Sequence, residues 1–180
     1  MVQFADILKM KKAIEVLEFF LEHPETEFYQ TEIANKLKIS RVTLLKWLDL
    51  LTKNGLLELK TRGKSKYYKL NKDNPVVKQI KVLLTISKLY GPVKNLKEEN
   101  VEVYLYGSCA KGEDVEESDV DILIVGKLEK GKLIQLVEDM KKIMKREVKP
   151  VVFNPLEYSN LVRKDRIFYE NVEKNKIRLL

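Results

Sequence analysis

The sequence predicts a two-domain chain of mixed class: an α+β unit whose helices are closed by a β-hairpin, then a small α/β unit on a mixed sheet. Three observations lead there. Over residues 8–53, apolar residues recur at helical spacing, with turn and cap residues between the runs. Two short strand-like runs then flank Arg62-Gly63-Lys64-Ser65. Beyond Asn74-Pro75 the pattern changes to strands alternating with helices. A chain of 180 residues suits one medium domain or two small ones.

Taken in order, Leu8 to Leu21 carries Ile14, Leu17, Phe20 and Leu21 at helical spacing and is followed by Pro24. A second short helix is expected from Thr31 to Leu37, burying Ile33, Ala34 and Leu37. Ser40 is a good N-cap for a third helix, Arg41 to Lys53, which Asn54-Gly55 ends. Leu56 to Thr61 and Tyr67 to Leu70 read as two strands. Val76 to Tyr90 is a helix that Gly91-Pro92 should close. A strand follows at Val101 to Tyr106, a loop at Gly107 to Ser118 and a second strand at Asp119 to Val125. Lys132 to Lys145 is an amphipathic helix and Glu147 to Phe153 a third strand. Two short helices, near 155–162 and 167–173, precede the closing segment Ile177 to Leu180. The expected organisation is 1–72, a connecting helix and lead-in over 73–99, and 100–180.

Apolar content of 44% is ordinary and charged content of 34% is high. No apolar run is long enough to span a bilayer, and no signal-peptide pattern opens the chain, so a cytoplasmic protein without a membrane role is expected. The single cysteine, Cys109, excludes an intramolecular disulfide and argues against a structural zinc site. The net charge of +7 is concentrated: residues 28–72 hold eleven Lys/Arg against three Asp/Glu. A compact basic segment suits a polyanionic partner, with a solvated lysine surface as the alternative.

Helix, helix, short turn, helix and β-hairpin is the order of a winged helix-turn-helix. TEIANKLKISRVTLLKWLDLLTKNGLLEL resembles the DNA-binding part of winged-helix transcription regulators, over roughly residues 8–72. The resemblance implies double-stranded DNA as partner. Arg41, Thr43 and Lys46 at the start of the third helix would meet base edges, and Arg62, Lys64 and Lys66 in the wing would meet phosphates. Leu44, Leu48 and Leu51 form one core stripe on that helix; Leu45, Trp47 and Leu50 exceed it and suggest a second buried face, against a twin subunit in a homodimer or against the downstream domain.

Chemistry concentrates in VYLYGSCAKGEDVEESDVDILIV. Asp119 and Asp121 stand two apart on an expected strand, roughly 6.5 Å along it, so both carboxylates face one side and can share Mg2+ or Mn2+. They open a strand that reads as buried, a poor place for two unpaired charges. Gly107 lets the backbone approach a phosphate, Ser108 can donate to it, and Lys111 can neutralise triphosphate charge. The combined run resembles the nucleotidyltransferase superfamily related to DNA polymerase β, specifically its minimal members, over about residues 100–153. The fold implied for the second domain is therefore a small mixed-sheet, polymerase-β-like one. By that resemblance Gly107 and Ser108 hold a nucleoside triphosphate, Ser118 of the SDVD run joins the nucleotide-binding set, and Asp119 and Asp121 hold metal. The order of the whole chain is similar to archaeal and bacterial fusions of a winged helix with this domain, whose minimal forms often pair with a helical partner protein.

One departure stands out. The active family carries a third carboxylate on the next strand, and the residue aligned with it here is Lys149. Glu147, two residues earlier, is the stand-in third carboxylate. The favoured expectation is Mg2+-dependent transfer of a nucleotidyl group to an acceptor hydroxyl. The alternative is a DNA-binding regulator whose degenerate second domain binds nucleotide without turnover.

Overall fold

The computed structural model describes residues 7–180, which divide into two compact units, residues 7–77 and 78–180.

In the first unit, α1 (Lys11–Glu22) buries Ala13, Val16, Leu17 and Phe20, an i, i+3, i+4, i+7 stripe. Ile14 and Leu21, expected in that stripe, are only half-buried because they lie beside it. Strand β1 (Phe28–Tyr29) leads into α2 (Gln30–Leu37), of which Gln30 and Ile33 are buried while Ala34 and Leu37 are not fully covered. Helix α3 (Arg41–Lys53) starts where Ser40 Oγ accepts the Thr43 N–H at 3.2 Å, the expected cap. Its buried residues are Leu44, Leu48 and Leu51, each fully covered. Strands β2 (Leu57–Arg62) and β3 (Ser65–Leu70) pair antiparallel, and β1 adds to β3 to give the order β1-β3-β2. A two-residue strand carries no readable alternation, so β1 was not foreseeable.

Helix α4 (Pro75–Lys94) continues through Gly91-Pro92 rather than stopping there. Proline at the last turn removes one helical hydrogen bond, and the burial of Leu89, Val93 and Leu96 in the second unit outweighs that loss. The segment expected as a plain loop after β4 (Val101–Tyr106) opens instead with a five-residue helix, α5 (Gly107–Lys111). Then come β5 (Val120–Gly126), α6 (Lys130–Met144), β6 (Val148–Phe153), α7 (Pro155–Lys164), α8 (Arg166–Asn175) and β7 (Ile177–Arg178). The sheet order is β6-β5-β4-β7. β5 runs parallel to β6, with α6 making the crossover, and antiparallel to β4; β7 is a short antiparallel edge.

Both faces of this sheet are covered. Val120, Ile122 and Ile124 pack with Val103 and Leu105 against Leu89 and Val93 of α4 and Leu136 and Met140 of α6. Leu123, Val125 and Tyr104 point the other way, toward Val172 and Phe168 of α8 and Tyr158 of α7. Two-sided burial explains why the core strand reads as a continuous apolar run, DILIV, instead of alternating. Asp121 lies on the second face, at the end of the sheet where α5 begins. Among the described residues, no helix is long and apolar enough to cross a membrane.

Candidate functional site

β4 delivers the chain to Gly107, whose φ of +72° is the left-handed conformation that glycine tolerates. A side chain here would also collide with Asp121: its Cβ would meet the carboxylate oxygen Oδ2 and lie 3.1 Å from Cγ. Gly107 thus opens the turn into α5 and leaves the space that the Asp121 carboxylate fills. Ser108 follows, half-buried, with its carbonyl accepting the Glu113 N–H at 3.0 Å. Gly112, at φ +69°, caps α5 against the backbone of Lys78 in α4; a Cβ there would stand 2.8 Å from Lys78 Cα.

The register then sets a row of three side chains across three strands. Tyr106 of β4 is opposite Asp121 of β5, and Asp121 is level with Lys149 of β6. Asp119 precedes β5 by one residue, contrary to the expectation that it lies within the strand. It remains beside Asp121, and Lys149 Nζ pairs with its Oδ2. Asp121 has its carboxyl pushed up from the usual aspartate range, first by burial and then by the Asp119 charge, with Lys149 opposing. Lys149 is raised in turn by its bond to Asp119. The Tyr106 phenol is raised by burial and by the nearby Asp121 charge, so it stays a donor.

Two carboxylates side by side, one of them half-buried, favour a cation between them. Among the described residues, no group of three or more His, Cys, Asp or Glu side chains is placed to hold a metal. Mg2+ binds through one or two carboxylates and completes its shell with water and phosphate oxygens, so Asp119 and Asp121 fit one such ion.

The remaining residues singled out in the sequence fall into different surroundings. Lys111 is exposed at the end of α5. Ser118 Oγ accepts the Val115 N–H at 2.9 Å, closing the turn that leads to Asp119. Glu147 lies one residue before β6, where strand alternation no longer fixes its direction, and its carboxylate is held by Lys141 of α6 at 2.8 Å. The structure therefore brings together Gly107, Asp119, Asp121 and Lys149, and ties Glu147 elsewhere. Cys109 is buried and its thiol is pushed up to about 11, by burial first and by Asp114 next.

In the first unit, Arg41, Lys64 and Lys66 are exposed. Thr43 Oγ1 is 2.8 Å from Ser40 Oγ, within the helix cap. Lys46 lies over the Trp47 ring at 4.6 Å. Arg62 donates to Glu27 Oε2 at 2.7 Å and stacks on Tyr67, so its charge is partly neutralised within the chain. A cavity of about 550 Å3 is lined by Met10, Lys46, Trp47, Asp49, Leu50, Lys53 and Asn54.

Sequence reasoning missed Tyr106, whose position just before Gly107 was the available signal. It also missed Asp114 and Arg146, which pair at 2.7 Å across 32 residues of chain.

Residues 86–173 match the family model of the nucleotidyltransferase domain. The match begins inside α4 and runs to α8, enclosing the Gly107–Ser108 turn, both aspartates and Lys149. It supports nucleotidyl transfer as the general activity. No curated protein matches the chain.

Proposed function

We propose that the second unit transfers a nucleotidyl group from a nucleoside triphosphate to an acceptor hydroxyl with Mg2+ or Mn2+. The observation that carries this reading is the packing of Gly107 directly against Asp121, which sets the Gly107–Ser108 turn beside a carboxylate pair. Asp119 and Asp121 would hold the ion. When bound, it would neutralise phosphate charge and favour attack by the acceptor oxygen.

The other roles belong to this chain's own groups. Gly107 lets the backbone come close to a phosphate, and the Ser108 hydroxyl donates to a phosphate oxygen. Lys111 reaches from the exposed end of α5 to offset negative charge. Ser118 holds the turn before Asp119 by accepting the Val115 N–H, and its own O–H would donate to the nucleotide. The Tyr106 phenol, protonated throughout the physiological range, is a further donor beside Asp121. Glu147 is the stand-in carboxylate that would take the acceptor's proton. Its tie to Lys141 is a solvent-exposed pair, weakened by water and salt, and is readily given up.

The first unit is read as a winged helix that binds double-stranded DNA. Arg41, Thr43 and Lys46 would face base edges, and Arg62, Lys64 and Lys66 the backbone. A homodimer through Leu45, Trp47 and Leu50 and a helical partner protein remain part of this proposal.

A second reading has its own observation. Lys149 already supplies a positive charge to Asp119, at the position level with Asp121 where the family has its third carboxylate. That favours a nucleotide-binding regulator without turnover.

Incubation with labelled triphosphates and Mg2+, alone and with cell extract, separates the two. Label transferred to an acceptor, and lost in Asp121→Ala, supports the enzyme. Nucleotide retained without transfer supports the regulator, and retention that ignores Asp121→Ala contradicts the site.

A further inference from the structure

Beneath the site lies an ion cluster that the proposed chemistry does not use. Asp114, in the segment between α5 and β5, is buried, as is Lys81 of α4. Lys81 Nζ lies 3.0 Å from Asp114 Oδ1 and also donates to the Asp114 backbone carbonyl. Asp114 Oδ2 accepts from Arg146 Nη1 at 2.7 Å. The same guanidinium donates through Nε to the Ser118 carbonyl at 2.6 Å and through Nη2 to Cys109 Sγ at 3.6 Å. Cys109 Sγ in turn donates to the Asp119 carbonyl at 3.5 Å.

One planar cation therefore touches three segments at once. Cys109 belongs to α5, which carries Ser108. Ser118 directly precedes Asp119. Arg146 itself stands at the entry to β6, three residues before Lys149. Only a guanidinium offers donors in a fixed fork wide enough for this; a lysine ammonium is a point charge. Buried ion pairs add little stability compared with apolar side chains of similar size, since desolvation offsets their attraction. Its contacts with three separate segments give the cluster a placing role that an apolar replacement of similar size would not supply.

We propose that Arg146 and Asp114 are positioning residues, holding the Gly107–Ser108 turn and Asp119 in the mutual geometry that nucleotide binding requires. This rests on the reading of the site as a nucleotide site. Groups that orient metal-binding side chains from behind, as this cluster would orient Asp119, typically change affinity by about 10–100-fold when altered.

The test uses the full chain with Arg146→Lys, Arg146→Ala and Asp114→Asn. Two measurements are taken on each: amide exchange, and affinity for a mixture of the four ribonucleoside triphosphates with Mg2+. Arg146→Lys and Asp114→Asn should speed exchange across 107–119, keep the protection of β4 and β5, and weaken nucleotide binding by about tenfold or more. Guanidinium at a non-denaturing concentration should restore both readouts in Arg146→Ala, which general destabilisation would not allow. Should Arg146→Ala fail to fold, the exchange and affinity of the other two variants decide. Unchanged exchange across 107–119, or unchanged affinity where the wild type binds, overturns the proposal. If the wild type takes up no triphosphate, the nucleotide reading fails by itself, and the exchange measurement still decides whether the cluster places these segments.

Discussion

Gly107→Ala is the substitution whose consequences follow most directly from the geometry. At φ +72° an L-residue incurs a left-handed penalty of roughly 1–2 kcal/mol. The added methyl also collides with Asp121 Oδ2 and would sit 3.1 Å from Asp121 Cγ, so the carboxylate must leave its position. Driving that side chain off its rotamer adds about 0.5–1.5 kcal/mol. A loss near 2 kcal/mol is expected in the second unit, at about 4–8 °C per kcal/mol for a domain of this size. Calorimetry of the full chain reads that transition, and a titration with Mn2+ and triphosphate reads the displaced carboxylate. Gly91→Ala is the control: Gly91 lies inside α4 with nothing within 4 Å of an added Cβ, and the change should be neutral or stabilising by about 0.5–1 kcal/mol. If Gly107→Ala melts within about 1 °C of wild type and binds the ion equally well, the steric account of this turn is wrong.

Lys149→Asp should place a third carboxylate level with Asp121 and increase bound Mn2+ per chain in the presence of triphosphate, read by electron paramagnetic resonance; an unchanged count in a folded variant would remove Lys149 from the site. Asp121, with its carboxyl raised by burial and by the Asp119 charge, holds its proton more tightly folded than unfolded. Its contribution therefore falls as pH rises from below the unfolded value to above the folded one. Asp121→Asn should accordingly raise the metal-free melting temperature at neutral pH, and Mg2+ should raise that of wild type but not of the variant. If the first unit binds double-stranded DNA as proposed, Lys64→Ala and Lys66→Ala should each reduce the salt dependence of DNA affinity by about one unit of log–log slope. Arg62→Ala should reduce it less, because Glu27 already engages that guanidinium. Equal effects from all three would remove the Glu27 argument.

Much of the fold was legible because local signals and packing agree. The Ser40 cap and the Leu44/Leu48/Leu51 stripe marked α3, and the Val101–Tyr106 run marked β4. Punctuation misled where packing overrode it: Gly91-Pro92 reads as a stop, but Val93 and Leu96 are core residues and the helix carries on to reach them. Asp119 and Glu147 each fall one residue outside their strands, so the period-two argument could not direct their side chains. Lys149 was visible as a departure, and the parallel register sets it level with Asp121. Asp114 and Arg146 were invisible for a different reason. Their contacts lie 28–37 residues apart along the chain, and no periodicity links such positions.

The central claim is that the Gly107–Ser108 turn and the Asp119/Asp121 pair form one site for a triphosphate and its metal. Titrating the full chain with Mn2+ in the presence and absence of triphosphate, for wild type and Asp121→Ala, tests it most directly. The account predicts that each ligand tightens the other's binding in the wild type and that Asp121→Ala abolishes the coupling. Independent binding of the two ligands, or coupling that survives Asp121→Ala, would contradict it.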